Sequence, residues 1–380
     1  MHDRIVKVLH MTKLGAGGIS TLTVNINKCI DLNKVRFDYL VFENEKTFYE
    51  DIVKKYKAEK KVVNIKKYNK NKLFLYWKKY VGVKKLLREY HYDIVHVDAS
   101  TPLDVVVGLA AKHSGIKTII LHSHIAGDTK KSALRLIYMN LCKLLMKFTF
   151  THYFAISDLS AKFMFPKSIY DNKNYVIYKN GIIAENYVPD LKKRYLLRNK
   201  LKIDGKFVIG HIGRFSLEKN HEFIVAIFCE VLKKKEDAIL LLIGEGSLKS
   251  IIEEKCKKLN ISDKVIFYGT THEIPVLLSA MDAFIFPSKF EGLGIAAIEA
   301  QCSGLNTFCS DRIPEEANVT KMFHRIKGFD SKKWAFEILN VDYKTKRIDY
   351  VLDVQKAGFD IKMVAKKLEE FYINSCKNRN

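Results

Sequence analysis

The feature that most constrains this chain is an alternation. Short apolar runs recur along it, each followed by a longer stretch of helical period, and that pattern specifies a parallel sheet covered by crossover helices. In the first half the expected strands are Ile5–Met11, Phe37–Phe42, Val62–Ile65, Ile94–Val97, Lys117–His122 and His152–Ile156. In the second they are Phe207–Ile212, Ala238–Ile243, Val265–Tyr268, Ala283–Pro287 and Asn306–Cys309. The class is α/β, and two sets of strands, each with its own helices, predict two doubly wound, Rossmann-like domains. The basic, sheet-breaking stretch Ile183–Asp204, with Pro189, puts the boundary near residue 186: an amino-terminal domain over 1–185 and a carboxyl-terminal one over 186–360. The amphipathic stretch Ile361–Cys376 predicts a helix, within 361–380, that packs back on the first domain.

Charge narrows the partners. Lys and Arg number 65 against 42 Asp and Glu, a net of +23, and with only 6 Pro and 19 Gly that excess sits on folded elements. An acidic partner is implied: nucleic acid, an anionic membrane face, or a phosphate-bearing small molecule. No RRM, KH, zinc-finger or helix-turn-helix pattern is present, which argues against nucleic acid. No run approaches the roughly 20 apolar residues of a membrane span. Met1–Met11 reads as a first strand rather than a leader, so export is not expected. The seven cysteines (Cys29, Cys142, Cys229, Cys256, Cys302, Cys309, Cys376) are scattered and never in C-x-x-C spacing, which argues against a disulfide framework and a zinc site and fits a reducing cytoplasm.

In open parallel sheets ligands lie outside the carboxyl ends of the strands, so motifs that follow a strand carry the most weight. Gly15-Ala16-Gly17-Gly18 follows the first strand and precedes a helix. Glycines there permit positive φ and close backbone approach, and the helix start offers free N–H groups to an anion; a tight turn with no ligand is the plainer alternative. Gly213-Arg214-Phe215-Ser216-Leu217-Glu218-Lys219-Asn220 follows Phe207–Ile212, where a planar guanidinium and a flexible ammonium can neutralise a diphosphate; two solvated cations are the alternative. The strongest signal is Phe286 to Ala300, which runs from strand end through a glycine-flanked loop into an Ala-rich helix, with Glu291 and Glu299 eight positions apart. Glu291 belongs to the loop, Glu299 reaches back from the helix, and the backbone of Gly292, Leu293 and Gly294 opens the helix where a phosphate is favoured. For Glu299, a structural cap or pair is the alternative.

These three motifs, in this order, resemble the retaining glycosyltransferases of family 4, which have the two-domain GT-B fold, and the chain looks most like bacterial enzymes of capsular and exopolysaccharide assembly. The resemblance implies two domains facing across a cleft, with Arg214 and Lys219 on the donor diphosphate, Glu291 on the sugar hydroxyls, Glu299 on the ribose and Gly292–Gly294 on the phosphates. Gly17 and Gly18 would let the first domain approach the donor; the loop after Gly244-Glu245-Gly246, and Thr270, would lie near the base. It also implies transfer with retention and without metal, by front-face attack in which the leaving phosphate takes the acceptor's proton. No Asp-x-Asp motif is present. The chain departs from the family in two places: His96-Val97-Asp98 stands where His-x-His is common, and Asn180-Gly181-Ile182-Ile183 lacks the usual acid. In His122-Ser123-His124 one histidine would face the sugar, and His122 is preferred as nearer the strand end.

The stretch 46–89 carries fifteen basic residues against Glu50, Asp51, Glu59 and Glu89, with Tyr68, Phe74, Tyr76, Trp77 and Tyr80 interleaved. Aromatics among lysines fit an anionic interface, and attachment to the inner face of the cell membrane suits the polyprenyl diphosphate-linked acceptor that the resemblance implies; a solvated basic face is the alternative. The expected activity is thus transfer of a hexose or N-acetylhexosamine from a UDP-sugar to a lipid-linked oligosaccharide, with no cofactor. The rivals are a non-hydrolysing nucleotide-sugar epimerase of related fold and a non-catalytic partner subunit.

Overall fold

The computed structural model describes residues 4–65, 72–125, 127, 133–343 and 347–377. The chain divides into two compact units, the first Met1–Gly181 with Ile361–Asn380, the second Ile182–Asp360.

The first unit is a sheet of seven strands: β1 (Val6–Met11), β2 (Val35–Val41), β3 (Lys60–Val62), β4 (Ile94–Ala99), β5 (Thr118–Ser123), β6 (His152–Ala155) and β7 (Val176–Ile177). All pair in parallel, in the order β3-β2-β1-β4-β5-β6-β7. Its helices are α1 (Gly18–Cys29), α2 (Glu50–Lys55), α3 (Lys72–Glu89), α4 (Val105–Lys112), α5 (Ala133–Thr149), α6 (Asp158–Met164) and α7 (Lys167–Asp171). Every residue of β4 and β5 is buried, as expected of central parallel strands covered on both faces. Leu9, Val95, Leu121, Met146 and Phe165 belong to its core, and α4 packs between α3 and α5.

The second unit repeats the plan with β8 (Val208–Ile212), β9 (Ile239–Ile243), β10 (Val265–Gly269), β11 (Ala283–Phe286), β12 (Asn306–Ser310) and β13 (Phe323–Ile326), parallel in the order β10-β9-β8-β11-β12-β13. Its helices are α8 (Leu191–Lys200), α9 (His221–Leu232), α10 (Lys249–Lys258), α11 (Ile274–Ala280), α12 (Ile295–Cys302), α13 (Ser331–Leu339) and α14 (Val351–Val354). Ile209, Phe228, Leu240, Ile285, Phe308 and Trp334 belong to its core. The last helix, α15 (Ile361–Lys377), lies on α1 in the first unit, where Glu369 accepts a 2.6 Å hydrogen bond from the Asp31 N–H.

Three strands differ from expectation, all near sheet edges. β3 starts at Lys60 rather than Val62, although Val63 and Ile65 still donate backbone bonds to Val41, the last residue of β2, and to Phe42 just after it. β7 is two exposed residues, and β13 reads Phe-His-Arg-Ile, so neither offers the apolar run that marks an interior strand.

Candidate functional site

Each sheet reverses its winding once, between β1 and β4 and between β8 and β11, and such reversals are where open α/β sheets bind ligands. In the second unit both charged motifs leave the sheet at that point, one after β8 and one after β11. The loops are tied together: the Lys289 N–H donates to the Glu218 carbonyl at 2.8 Å, and the Asn220 side-chain amide donates to the Pro287 carbonyl at 3.2 Å. Asn220 is left-handed (φ 60°), a conformation that Asn tolerates, and it turns the chain into α9.

That framework brings Lys219 and Glu291 together at 2.6 Å, both largely shielded from water, with the Lys219 ammonium 4.8 Å from the centre of the Phe286 ring. Arg214 stands exposed on the same loop. Gly294 (φ 91°) caps α12 in a conformation open to glycine, so the backbone of Gly292–Gly294 leads directly into the helix start. The Leu293 side chain is buried, which leaves its backbone for any ligand. The loop after β9 presses onto the Arg214 loop: the Phe215 N–H donates to the Glu245 carbonyl at 3.1 Å, and a Cβ on Gly246 would lie 2.5 Å from the Phe215 carbonyl oxygen. Thr270, exposed, follows β10 beside them, since the Gly244 N–H donates to Gly269 at 2.9 Å.

Glu299 is a buried acid on α12, and burial is the larger of two opposing influences on it. Desolvation lifts its pKa to about 7, although the Tyr187 hydroxyl, donating at 2.6 Å, opposes the rise. Tyr187 escaped the sequence reading, and so did three buried groups near Lys219. His211 donates from Nδ1 to the Ile285 carbonyl at 2.9 Å, which leaves its Nε2 a lone pair with no partner among the described residues. His221, stacked 4.0 Å from Phe215, has neither nitrogen bonded among those residues, and burial followed by the Lys219 charge takes its pKa down to about 4. Ser288 Oγ is likewise buried and unbonded among them. His211 lies two residues before Gly213 and His221 directly after Asn220, a proximity to the motif that was the available signal.

In the first unit the glycines after β1 do not use left-handed space. The positive-φ residue is Leu14 (φ 51°), ahead of them, which corrects the expectation for Gly15–Gly18. Gly17 caps α1 in extended conformation, with its carbonyl accepting from Thr21 N–H and Oγ, and Gly18 starts the helix. A Cβ on Gly15 would meet no atom within 4 Å, so packing does not demand glycine there.

What the sequence read as a departure, His96-Val97-Asp98, is the centre of a buried polar network. Asp98 lies among four imidazoles: His10 Nδ1 at 3.3 Å, His124 Nε2 at 3.0 Å, His96 Nε2 at 3.6 Å and His122 Nδ1 at 3.7 Å. The Tyr372 hydroxyl, carried in by α15, bridges His96 Nδ1 (2.7 Å) and His10 Nε2 (3.1 Å), and His96 Nε2 meets His122 Nδ1 at 3.2 Å. Burial opposes ionisation of Asp98, yet hydrogen bonds from His10 and His124 and the nearby imidazoles outweigh it and hold the carboxyl well below its usual range. Desolvation keeps His96 and His122 neutral. Beside the ionised Asp98 carboxylate, His10 donates from Nδ1, and Tyr372, His96 and His122 continue the chain of contacts. His124 meets Asp98 through Nε2, and the buried His122 Nε2 and His124 Nδ1 have no partner among the described residues. Among the described residues, His10–His96–Asp98 and Asp98–His122–His124 are also side chains whose ligand atoms lie close enough, within 4.8 Å, to hold a metal ion.

The basic stretch is partly neutralised. Lys46 pairs with Asp51 at 2.9 Å, Lys60 with Glu50 at 2.5 Å and Lys61 with Glu59 at 2.5 Å. Phe74 and Trp77 are exposed on α3, whereas the Tyr80 hydroxyl turns to His113 at 2.8 Å. Lys66, Lys67, Tyr68 and Lys70 lie outside the described residues.

Comparison with known proteins matches the same two halves. Residues 193–366 match the family described as Glycosyl transferases group 1, and residues 17–156 that described as Glycosyl transferase 4-like. The UDP-Gal:alpha-D-GlcNAc-diphosphoundecaprenol alpha-1,3-galactosyltransferase of Escherichia coli is 24% identical over 80% of each chain. The capsular polysaccharide biosynthesis glycosyltransferase CapH of Staphylococcus aureus is 22% identical over 97% of this chain and 99% of its own. Among solved structures, Anabaena HepE in complex with UDP and glucose has the same fold, with a TM-score of 0.77 and 17% identity over 96% of this chain and 99% of that one.

Proposed function

Because the chain belongs to the glycosyltransferases that join a 4-like and a group 1 domain in the GT-B fold, we propose that it moves a hexose or N-acetylhexosamine from a UDP-sugar to a lipid-linked oligosaccharide in capsule or exopolysaccharide assembly. The observation that carries this reading is the Lys219–Glu291 pair, held on two loops at a winding reversal beside the start of α12. In this reading Arg214, Lys219 and the Gly292–Gly294 backbone hold the diphosphate, where cations and helix dipole stabilise charge as it develops on the leaving group. Glu291 takes the sugar hydroxyls and Glu299 the ribose; the β9 loop and Thr270 border the base. In the first unit, Gly17, Gly18 and His122 are the residues to which the family resemblance gives a donor-side role.

Transfer proceeds with retention and without metal. The bond between the anomeric carbon and the β-phosphate oxygen breaks, the acceptor oxygen bonds to the same face, and its proton passes to the departing phosphate. In this reading the acceptor is a polyprenyl diphosphate, the class named for the E. coli relative, and the enzyme works at the inner face of the cell membrane with the 46–89 region toward anionic lipid.

A thermal-shift panel of UDP-, GDP- and ADP-sugars tests the donor. A ligand at a hundred times its Kd stabilises the native state by about 2.7 kcal/mol, so a UDP-sugar is expected to raise Tm and the others are not. A flat panel removes the donor assignment. Conversion of the donor to an epimer without acceptor would replace transferase by epimerase.

A further inference from the structure

Helix α5 buries one face and leaves an apolar one in water. Met139, Cys142 and Met146 enter the core, while Leu136, Ile137, Leu141, Leu144 and Phe148 are each more than half exposed, with Leu145 beside them. Ile137, Leu141, Leu144, Leu145 and Phe148 fall on one stripe of a 3.6-residue period, on the side where a surface helix normally places polar residues. Apolar side chains exposed together on one helix face, rather than scattered singly, are the mark of an interaction surface. From Ala133 to Thr149 the sequence holds no acid, and Lys143 and the exposed Lys147 stand among the apolar residues. On the other side of α4, helix α3 adds the exposed pair Phe74 and Trp77, stacked with ring centres 5.3 Å apart, along with Val81 and a run of lysines whose only acid is Glu89.

We propose that the outer face of α5 inserts into the surface of an anionic lipid bilayer, with the α3 aromatics at the same interface. The charge chooses this occupant. Two copies meeting through this face would bring their lysines together, whereas acidic headgroups accept the lysines and the acyl boundary accepts Leu, Ile and Phe. The inference deepens the membrane placement proposed above, on which it rests, and stands on surface chemistry and not on the sugar site. It differs from simple attraction to the 46–89 region, because an inserted apolar face holds at salt concentrations that screen exposed charges.

The test is sedimentation of the full chain with vesicles of phosphatidylglycerol and phosphatidylcholine, and of phosphatidylcholine alone, at low and high salt. The expected result is capture by the anionic vesicles that survives high salt in good part, loss of about tenfold or more in the double variant Leu141→Gln/Leu144→Gln, and no loss in Phe336→Gln/Leu352→Gln, a control pair equally exposed on the second unit. Since Trp334 is buried and Trp77 exposed, a blue shift of tryptophan emission on mixing reports α3 at the interface. Wild-type binding abolished by salt, an unchanged Leu141→Gln/Leu144→Gln variant, or no binding at low salt each overturns the proposal. So does a two-chain mass by light scattering that falls to one chain in that variant, which would assign the face to a second copy. Donor-induced thermal shifts on the same samples report the fold of each variant and test the transferase reading separately.

Discussion

The two sheets reverse their winding in the same way and equip the reversal differently. In the second unit the strands end in glycine-shaped loops that carry Arg214, Lys219 and Glu291 near the surface. In the first, the strands themselves carry His10, His96, Asp98 and His122 into the interior, where Tyr372 closes the network. One topology thus supplies both an accessible charged site and a buried polar one. The lesson is energetic: a partly exposed ion pair contributes little to stability and is free to serve a ligand, whereas a buried carboxylate must be fully bonded for the fold to tolerate it.

The largest effect expected from this contrast is on activity. Glu291→Gln or Lys219→Ala should lower transfer about a hundredfold or more while urea unfolding moves little, as measured by UDP release with acceptor present. Near-normal turnover in either removes that residue from the site. In the first unit the order should reverse. Asp98→Ala orphans the donors of His10 and His124 and should cost about 3–5 kcal/mol of stability in urea titration; a cost near zero would show that the network is not structural. Tyr372→Phe removes one hydroxyl from two imidazoles and should cost about 1–3 kcal/mol; rescue of the cost by a second change at His96 would localise the coupling.

The smallest effect is a pH slope. Glu299 has its pKa raised from 4.5 to about 7, so between those values the native state binds more protons than the unfolded chain. The sign is therefore a loss of stability as pH rises across that window, at most about 3 kcal/mol by pH 8. Glu299→Gln should flatten that slope, leaving stability near pH 4.5 unchanged and raising it at pH 8, while weakening UDP-sugar binding if the ribose role holds. Parallel slopes in wild type and variant would place Glu299 in a more solvated setting.

The α/β class, the doubly wound plan and the interior strands were legible because period and apolarity are local properties. The loop motifs after β8 and β11 were legible because their types suit phosphate and sugar at a strand end. Three other features were not: β7 and β13, which are too short or too polar to signal; the α5 face, whose apolar stripe reads the same whether it meets a core or water; and the meaning of Asp98, which appeared only as a missing histidine.

By itself the sequence determined which segments become strands and helices and which cations and acids follow a strand. Only the tertiary structure decided that His10, His96, His122 and His124 gather on Asp98, that Tyr372 reaches back from α15 to bridge two of them, and that Glu299 lies buried against Tyr187. The physical reason is distance along the chain. Hydrogen bonds between residues hundreds of positions apart, and the burial that shifts a carboxyl's pKa, depend on strand order and packing, and no window of sequence contains them.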